Sequence, residues 1–92
     1  MERHPVILSI AGSDCSGGAG IQADIKTISA LGGYAASAIT AITIQNTLGV
    51  RAVQSIAPDI VRGQIEAVMD DLQPAVSCTH LRAHETKANL VC

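Results

Sequence analysis

The segment Gly12-Ser13-Asp14-Cys15-Ser16-Gly17-Gly18-Ala19-Gly20 constrains this chain more than any other. Glycine loses more conformational freedom on ordering than any other residue, so such a cluster reads as a loop, not the interior of a helix or strand. Its two flanks differ. Before it, Val6-Ile7-Leu8-Ser9-Ile10-Ala11 is short, rich in β-branched residues and nearly continuous in apolar character. That is the pattern of a strand buried on both faces, as in a parallel sheet. After it, Ile21, Ile25, Ile28 and Leu31 recur at steps of three or four and mark one face of a helix, with Gln22, Lys26 and Ser29 off that face. Gly32-Gly33 ends the helix as a C-cap pair.

The rest of the chain continues the alternation. Tyr34 to Gln45 starts with small residues and passes into Ile39-Thr40-Ala41-Ile42-Thr43-Ile44. Its spacing also fits a helix, but the β-branched density and the absence of a cap predict a strand. Asn46-Thr47-Leu48-Gly49 reads as a turn, and Val50 to Ile56 as a short strand. Pro58 suits a first helical turn, with Asp59 beside the positive end of the dipole. Ile60, Val61, Ile65, Val68, Met69 and Leu72 then form a helical stripe that ends near Gln73-Pro74. Strands alternating with helices predict an α/β fold with a mostly parallel sheet. Ligands of such sheets bind at the carboxyl ends of the strands. Two loops are expected there, Gly12–Gly20 and Gln45–Gly49.

Composition removes several classes of function. The 92 residues are 48% apolar and 15% charged, which is too apolar for a disordered chain. Tyr34 is the one aromatic residue, so the core is built from Ile, Val, Leu and Ala. A chain this short buries only about two thirds of its surface, and one this apolar is expected to want a partner surface. The net charge is -2 and the six Lys and Arg residues are scattered, so nucleic acid is not the expected ligand. No apolar stretch reaches the ~20 residues of a membrane span, and the short run Val6 to Ala11 is not read as a signal peptide. Three irregularly spaced cysteines do not make a disulfide framework, and the expected compartment is the reducing cytosol.

Several chemistries compete for the glycine loop. Gly18-Ala19-Gly20-Ile21-Gln22-Ala23 fits G-x-G-x-x-A, but the first glycine does not directly follow the strand. No acidic residue falls between Asp24 and Asp59, where a ribose partner belongs. A phosphate-binding P-loop also fails, because Gly18-Ala19 stands where Lys-Ser/Thr belongs. A generic anion site at the helix N-terminus remains open. Asp24 is placed in the first turn of the helix, either as a functional carboxylate or as a group favoured by the dipole. Gln45 ends an apolar strand. Its amide can donate and accept together, which suits a heterocycle with a ring nitrogen beside an amino group; the alternative is a bond to the adjacent turn backbone. Cys15 has no basic neighbour and reads as a small loop residue instead of a nucleophile.

The string Ile10-Ala11-Gly12-Ser13-Asp14-Cys15-Ser16-Gly17-Gly18-Ala19-Gly20-Ile21-Gln22-Ala23-Asp24-Ile25-Lys26-Thr27 closely resembles the N-terminus of hydroxymethylpyrimidine/phosphomethylpyrimidine kinases. The resemblance continues through Leu31-Gly32, Tyr34, Ile39-Thr40-Ala41, Gln45-Asn46-Thr47, Gly49-Val50, Pro58, Gln64 and the helix to Leu72. Cys15 departs from it, since proline is common there. The resemblance implies the N-terminal part of a ribokinase-like three-layer α/β sandwich and a role in thiamine biosynthesis. It implies ATP and Mg2+ as the intact enzyme's phosphoryl donor and cofactor, and an aminopyrimidine as substrate. It also implies a homodimer, and a pyrimidine pocket lined by Gly12, Asp24 and Gln45. A pyridoxal-type kinase of the same superfamily is the related alternative, and a non-catalytic binding module is the alternative of another class. The family's catalytic Asp, anion hole and ATP site have no matching positions here. The chain alone is therefore expected to carry no catalytic residue, to bind no nucleotide and to have no kinase activity.

After Pro74 the resemblance stops and the composition shifts. Residues 75–92 hold Cys78, His80, His84 and Cys92, and a helix would place the two histidines on one face. The spacing fits neither a zinc finger nor H-E-x-x-H. The segment is read as a tail foreign to the fold, from a frameshift or truncation, with residues 1–74 as the incomplete kinase portion and no metal site.

Overall fold

A computed structural model describes residues 5–80 and 90–91. Strand β1, Val6–Ala11, runs into the glycine loop, and helix α1 spans Gly20–Ala30. Strands β2, Tyr34–Ile39, β3, Ala41–Asn46, and β4, Gly49–Ser55, come next. Helix α2 covers Pro58–Asp71, followed by β5, Val76–His80, and the two-residue β6, Leu90–Val91. The main sheet has the order β2-β1-β5-β6. β1 is parallel to both neighbours, with Leu8 opposite Ala36 on β2 and Ser77 on β5. β6 is antiparallel to β5.

The pleat of β1 divides its side chains between two layers. Leu8 is fully buried and packs with Ala36 and Ala38 of β2 against Ile65 and Val68 of α2 and Leu72 at its C-terminal end. Full burial of one such leucine contributes about 2 kcal/mol. Ser9 points to the other face, where its hydroxyl reaches Asp24 of α1. The result is the expected three layers, helix on sheet on helix. The small residues of β2 let α2 lie close. α2 starts on Pro58, with Asp59 in its first turn, and ends at Asp71 with Leu72 as its C-cap before Gln73, whose φ is 50°. Pro74 disfavours further helical backbone at the residue before it.

Four expectations need correction. Tyr34 to Gln45 is two strands, not one, and they belong to different sheets. Thr40 is the handover: its N–H still bonds Ala11 of β1 at 3.0 Å, while its carbonyl accepts the Ile56 N–H at 2.9 Å. β3 then pairs antiparallel with β4 across a turn at Thr47-Leu48, so Gln45–Gly49 is the end of a hairpin and not a loop leaving a parallel strand. In that turn the Asn46 Oδ1 accepts the Leu48 N–H at 2.8 Å, the local bond asparagine offers in turns. The α1 stripe is also narrower than expected. Ile21 and Ile28 are buried, but Ile25 is exposed and Leu31, at the C-cap, lies past the last turn and is 83% exposed. Asp24 lies beyond the first turn, which holds no acidic residue, because α1 begins as early as Gly20.

β5 begins at Val76, past the boundary expected at residue 74, and takes its place beside β1. Of the four Cys and His residues considered and set aside as metal ligands, His84 and Cys92 lie outside the described residues.

Candidate functional site

The glycine loop is wound around the carboxylate of Asp14. Its Oδ1 accepts the Ser16 hydroxyl at 2.6 Å and the Ser16 N–H at 2.9 Å, and its Oδ2 accepts the Gly18 N–H at 3.1 Å. The Ser16 hydroxyl is the main reason the Asp14 carboxyl sits below the usual carboxylate range. Burial opposes the shift, and the backbone N–H groups of Ser16, Ala19 and Gly18 support it. The loop is tied to α1 at further points. The Asp14 N–H donates to Gln22 Oε1 at 2.7 Å, and the Lys26 Nζ donates to the Gly17 carbonyl at 2.9 Å. The Gly12 carbonyl accepts the Ile21 N–H at 2.9 Å and so joins the end of β1 to the start of α1. Gly20 makes that closure possible. Its φ is +61°, and a Cβ there would run into the Gly12 carbonyl oxygen.

The same loop is stitched to β3. The Ser13 N–H donates to the Ala41 carbonyl at 2.9 Å, and the buried Thr43 donates its hydroxyl to the Ser13 carbonyl at 2.7 Å. The Thr43 N–H reaches the Ser13 hydroxyl at 3.3 Å. Further along, the Cys15 thiol donates to the Gln45 carbonyl at 3.0 Å and accepts the Gln45 N–H at 3.4 Å. The Gln45 carboxamide donates from Nε2 to Thr43 Oγ1 at 2.6 Å. Among the described residues its Oε1 takes no hydrogen bond, so the half-buried amide keeps one acceptor and one donor to offer.

Asp24 enters from α1. Its Oδ2 accepts the hydroxyl of the fully buried Ser9 at 2.5 Å, which anchors the helix to β1 beneath the loop.

A chain with this sequence and geometry has relatives. The sequence profile of the phosphomethylpyrimidine kinase family matches residues 14–86. This chain belongs to the phosphomethylpyrimidine kinase family. It is 64% identical over 67 residues to hydroxymethylpyrimidine/phosphomethylpyrimidine kinase of Rhizobium meliloti, covering 73% of this chain and 25% of that protein. The crystal structure of phosphomethylpyrimidine kinase from Clostridium difficile superposes with a TM-score of 0.80 at 53% identity, over 86% of this chain and 36% of that one. The pyridoxal kinase of Staphylococcus aureus, in complex with AMP-PCP, gives a TM-score of 0.78 at 34% identity, over 87% of this chain and 29% of that one. The chain thus spans about a quarter of the length of the curated relatives it matches. The family match crosses the boundary expected at residue 74.

Of the three site residues expected in this family member, Gly12 and Gln45 are drawn together through Ser13, Thr43 and Cys15. Asp24 is linked instead to β1 through Ser9. Sequence reasoning left two residues of the site without a role. Asp14 organises the loop, and the Asp-x-Ser pattern that lets a carboxylate bond the backbone two residues on was its signal. Thr43 joins loop to amide, and nothing local distinguishes it from the other β-branched residues around it. Among the described residues no cluster of three His, Cys, Asp or Glu side chains can hold a metal ion. The Asp14 carboxylate is taken up by the loop's own donors.

Proposed function

We propose that this chain is the substrate-side portion of a hydroxymethylpyrimidine/phosphomethylpyrimidine kinase. The longer enzyme would use MgATP to phosphorylate 4-amino-5-hydroxymethyl-2-methylpyrimidine and then its monophosphate, in thiamine biosynthesis, as a cytosolic homodimer. In this reading Gly12, Asp24 and Gln45 bind the ring, and the chain alone binds without turning over. The division at residue 74 belongs to the same reading, with no role for Cys78, His80, His84 or Cys92. The observation that carries it is the stitching of β3 to the glycine loop, which sets the Gln45 amide beside the Gly12 turn with an acceptor and a donor to spare. Phosphoryl transfer relies on positioning and charge neutralisation, and the described residues provide the first of these for the acceptor substrate only.

The test is an NMR titration of the 92-residue chain with the aminopyrimidine, run beside a phosphorylation assay with MgATP. Saturable shifts at Gly12, Asp24 and Gln45 are expected, with no turnover near the roughly 1–100 s⁻¹ of kinases. Absence of binding overturns the ring-binding reading, and turnover at a normal rate overturns the division of labour. A pyridoxal-type ring is the second reading, favoured by the likeness to the Staphylococcus aureus pyridoxal kinase. Tighter binding of pyridoxal than of the aminopyrimidine would replace the first reading with it.

A further inference from the structure

Thr43 sits between the two parts of the site and has one proton to give. That proton goes to the Ser13 carbonyl, which can only accept, at 2.7 Å. The Thr43 oxygen is thereby left as a pure acceptor toward Gln45, 2.6 Å from the carboxamide. Only the nitrogen end of that amide can meet it. A flipped amide would set two lone-pair oxygens against each other at hydrogen-bond distance, in a residue only 7% exposed. The hydroxyl of one buried threonine thus dictates which end of the neighbouring amide faces away.

We propose that Thr43 is a positioning residue that fixes the polarity of the Gln45 carboxamide, so that the site selects a ring edge with an N–H donor beside a ring-nitrogen acceptor. This rests on the reading of Gln45 as the residue that meets the ring. With Oε1 presented as acceptor and the second Nε2 proton as donor, the amide complements an aminopyrimidine edge at both atoms. The 4-oxo analogue carries a carbonyl acceptor and a ring N–H in the reverse order, and it would need the amide flipped. Selection between the two rings then comes from a threonine that touches neither.

Two measurements on the full chain test this. In the unliganded wild type, the Gln45 side-chain amide is expected to show one N–H protected from solvent exchange. That signature should persist in Thr43→Ser and vanish in Thr43→Val, which keeps the shape and loses the hydroxyl. Its absence from the wild type overturns the proposal even if Thr43→Val does not fold, and so does its survival in a folded Thr43→Val. In titrations with the 4-amino and 4-oxo rings, the wild-type preference for the amino ring should fall about tenfold or more in Thr43→Val, the scale of one net hydrogen bond, and be kept in Thr43→Ser. A wild type that binds the amino ring preferentially, with the same ratio in Thr43→Val, overturns the role of Thr43 and leaves the substrate reading intact. A wild type that binds neither ring overturns the substrate reading and the ring selection with it, while the amide signature still decides whether Thr43 orients Gln45.

Discussion

A loop rich in glycine has little side-chain packing to hold it, so its shape depends on a few polar bonds. The Asp14 carboxylate supplies three of them, to the Ser16 hydroxyl and to the N–H groups of Ser16 and Gly18. Because its folded-state pKa is depressed, mainly by the Ser16 hydroxyl, the ionised form stabilises the fold. The contribution is fully present above the unfolded-state pKa of about 3.9 and is lost as pH falls through the lower folded-state value. Asp14→Asn cannot ionise and gives no such pH dependence at this position. The stability gap between wild type and Asp14→Asn, measured by urea unfolding, should therefore stay level from neutral pH down to the ordinary carboxylate range and close below it. A gap that does not change with pH would show that the carboxylate charge is irrelevant to the loop. The neighbouring Asp24 was placed correctly on α1 by the helical spacing, but its partner was not legible. Ser9 lies on another element, and periodicity reports which face a residue occupies without naming what stands opposite.

At the scale of elements, β2 presents a problem that Gln64 of α2 solves. β2 is at the edge of the described sheet, where main-chain groups on its outer side lack a strand partner. The Gln64 carboxamide acts as a substitute strand. Its Oε1 accepts the Ile39 N–H and its Nε2 donates to the Ile39 carbonyl, both at 2.9 Å. Gln64→Ala removes both bonds and is expected to cost about 1–2 kcal/mol. The faster exchange should concentrate at the Ile39 amide, measured by native-state hydrogen exchange, and uniform acceleration along the chain would refute a local role. β1, the glycine loop, α1 and α2 were all legible, because each is announced by its own period, caps or punctuation. The break at Thr40 was not. The β-branched density continues unchanged from Ile39 to Ile44, and the sheet in which each half pairs is decided by Ala11 and Ile56, which lie outside the window that a local pattern can read.

For the whole molecule, the balance of buried and exposed surface makes a prediction of its own. Among the described residues, exposed apolar surface gathers on the β3–β4 hairpin, where Ile42, Ile44, Val50 and Val53 are each more than half exposed and Leu48 at the turn is 92% exposed. Apolar residues in such a cluster favour association, and a two-stranded sheet also has unpaired edges to offer. The chain is therefore expected to self-associate as its concentration rises. Ile42 and Ile44 stand two residues apart on one strand, so they share a face of the hairpin, whereas Thr43 between them turns toward the glycine loop. Replacing both isoleucines with threonine keeps the β-branched shape that suits a strand while removing apolar surface. Sedimentation equilibrium should then show the double variant monomeric at concentrations where the wild type associates, with binding of the aminopyrimidine retained because the substitutions lie on the face away from Thr43. Association that persists undiminished in the double variant would move the sticky surface off the hairpin, to the exposed Ile60 and Met69 of α2.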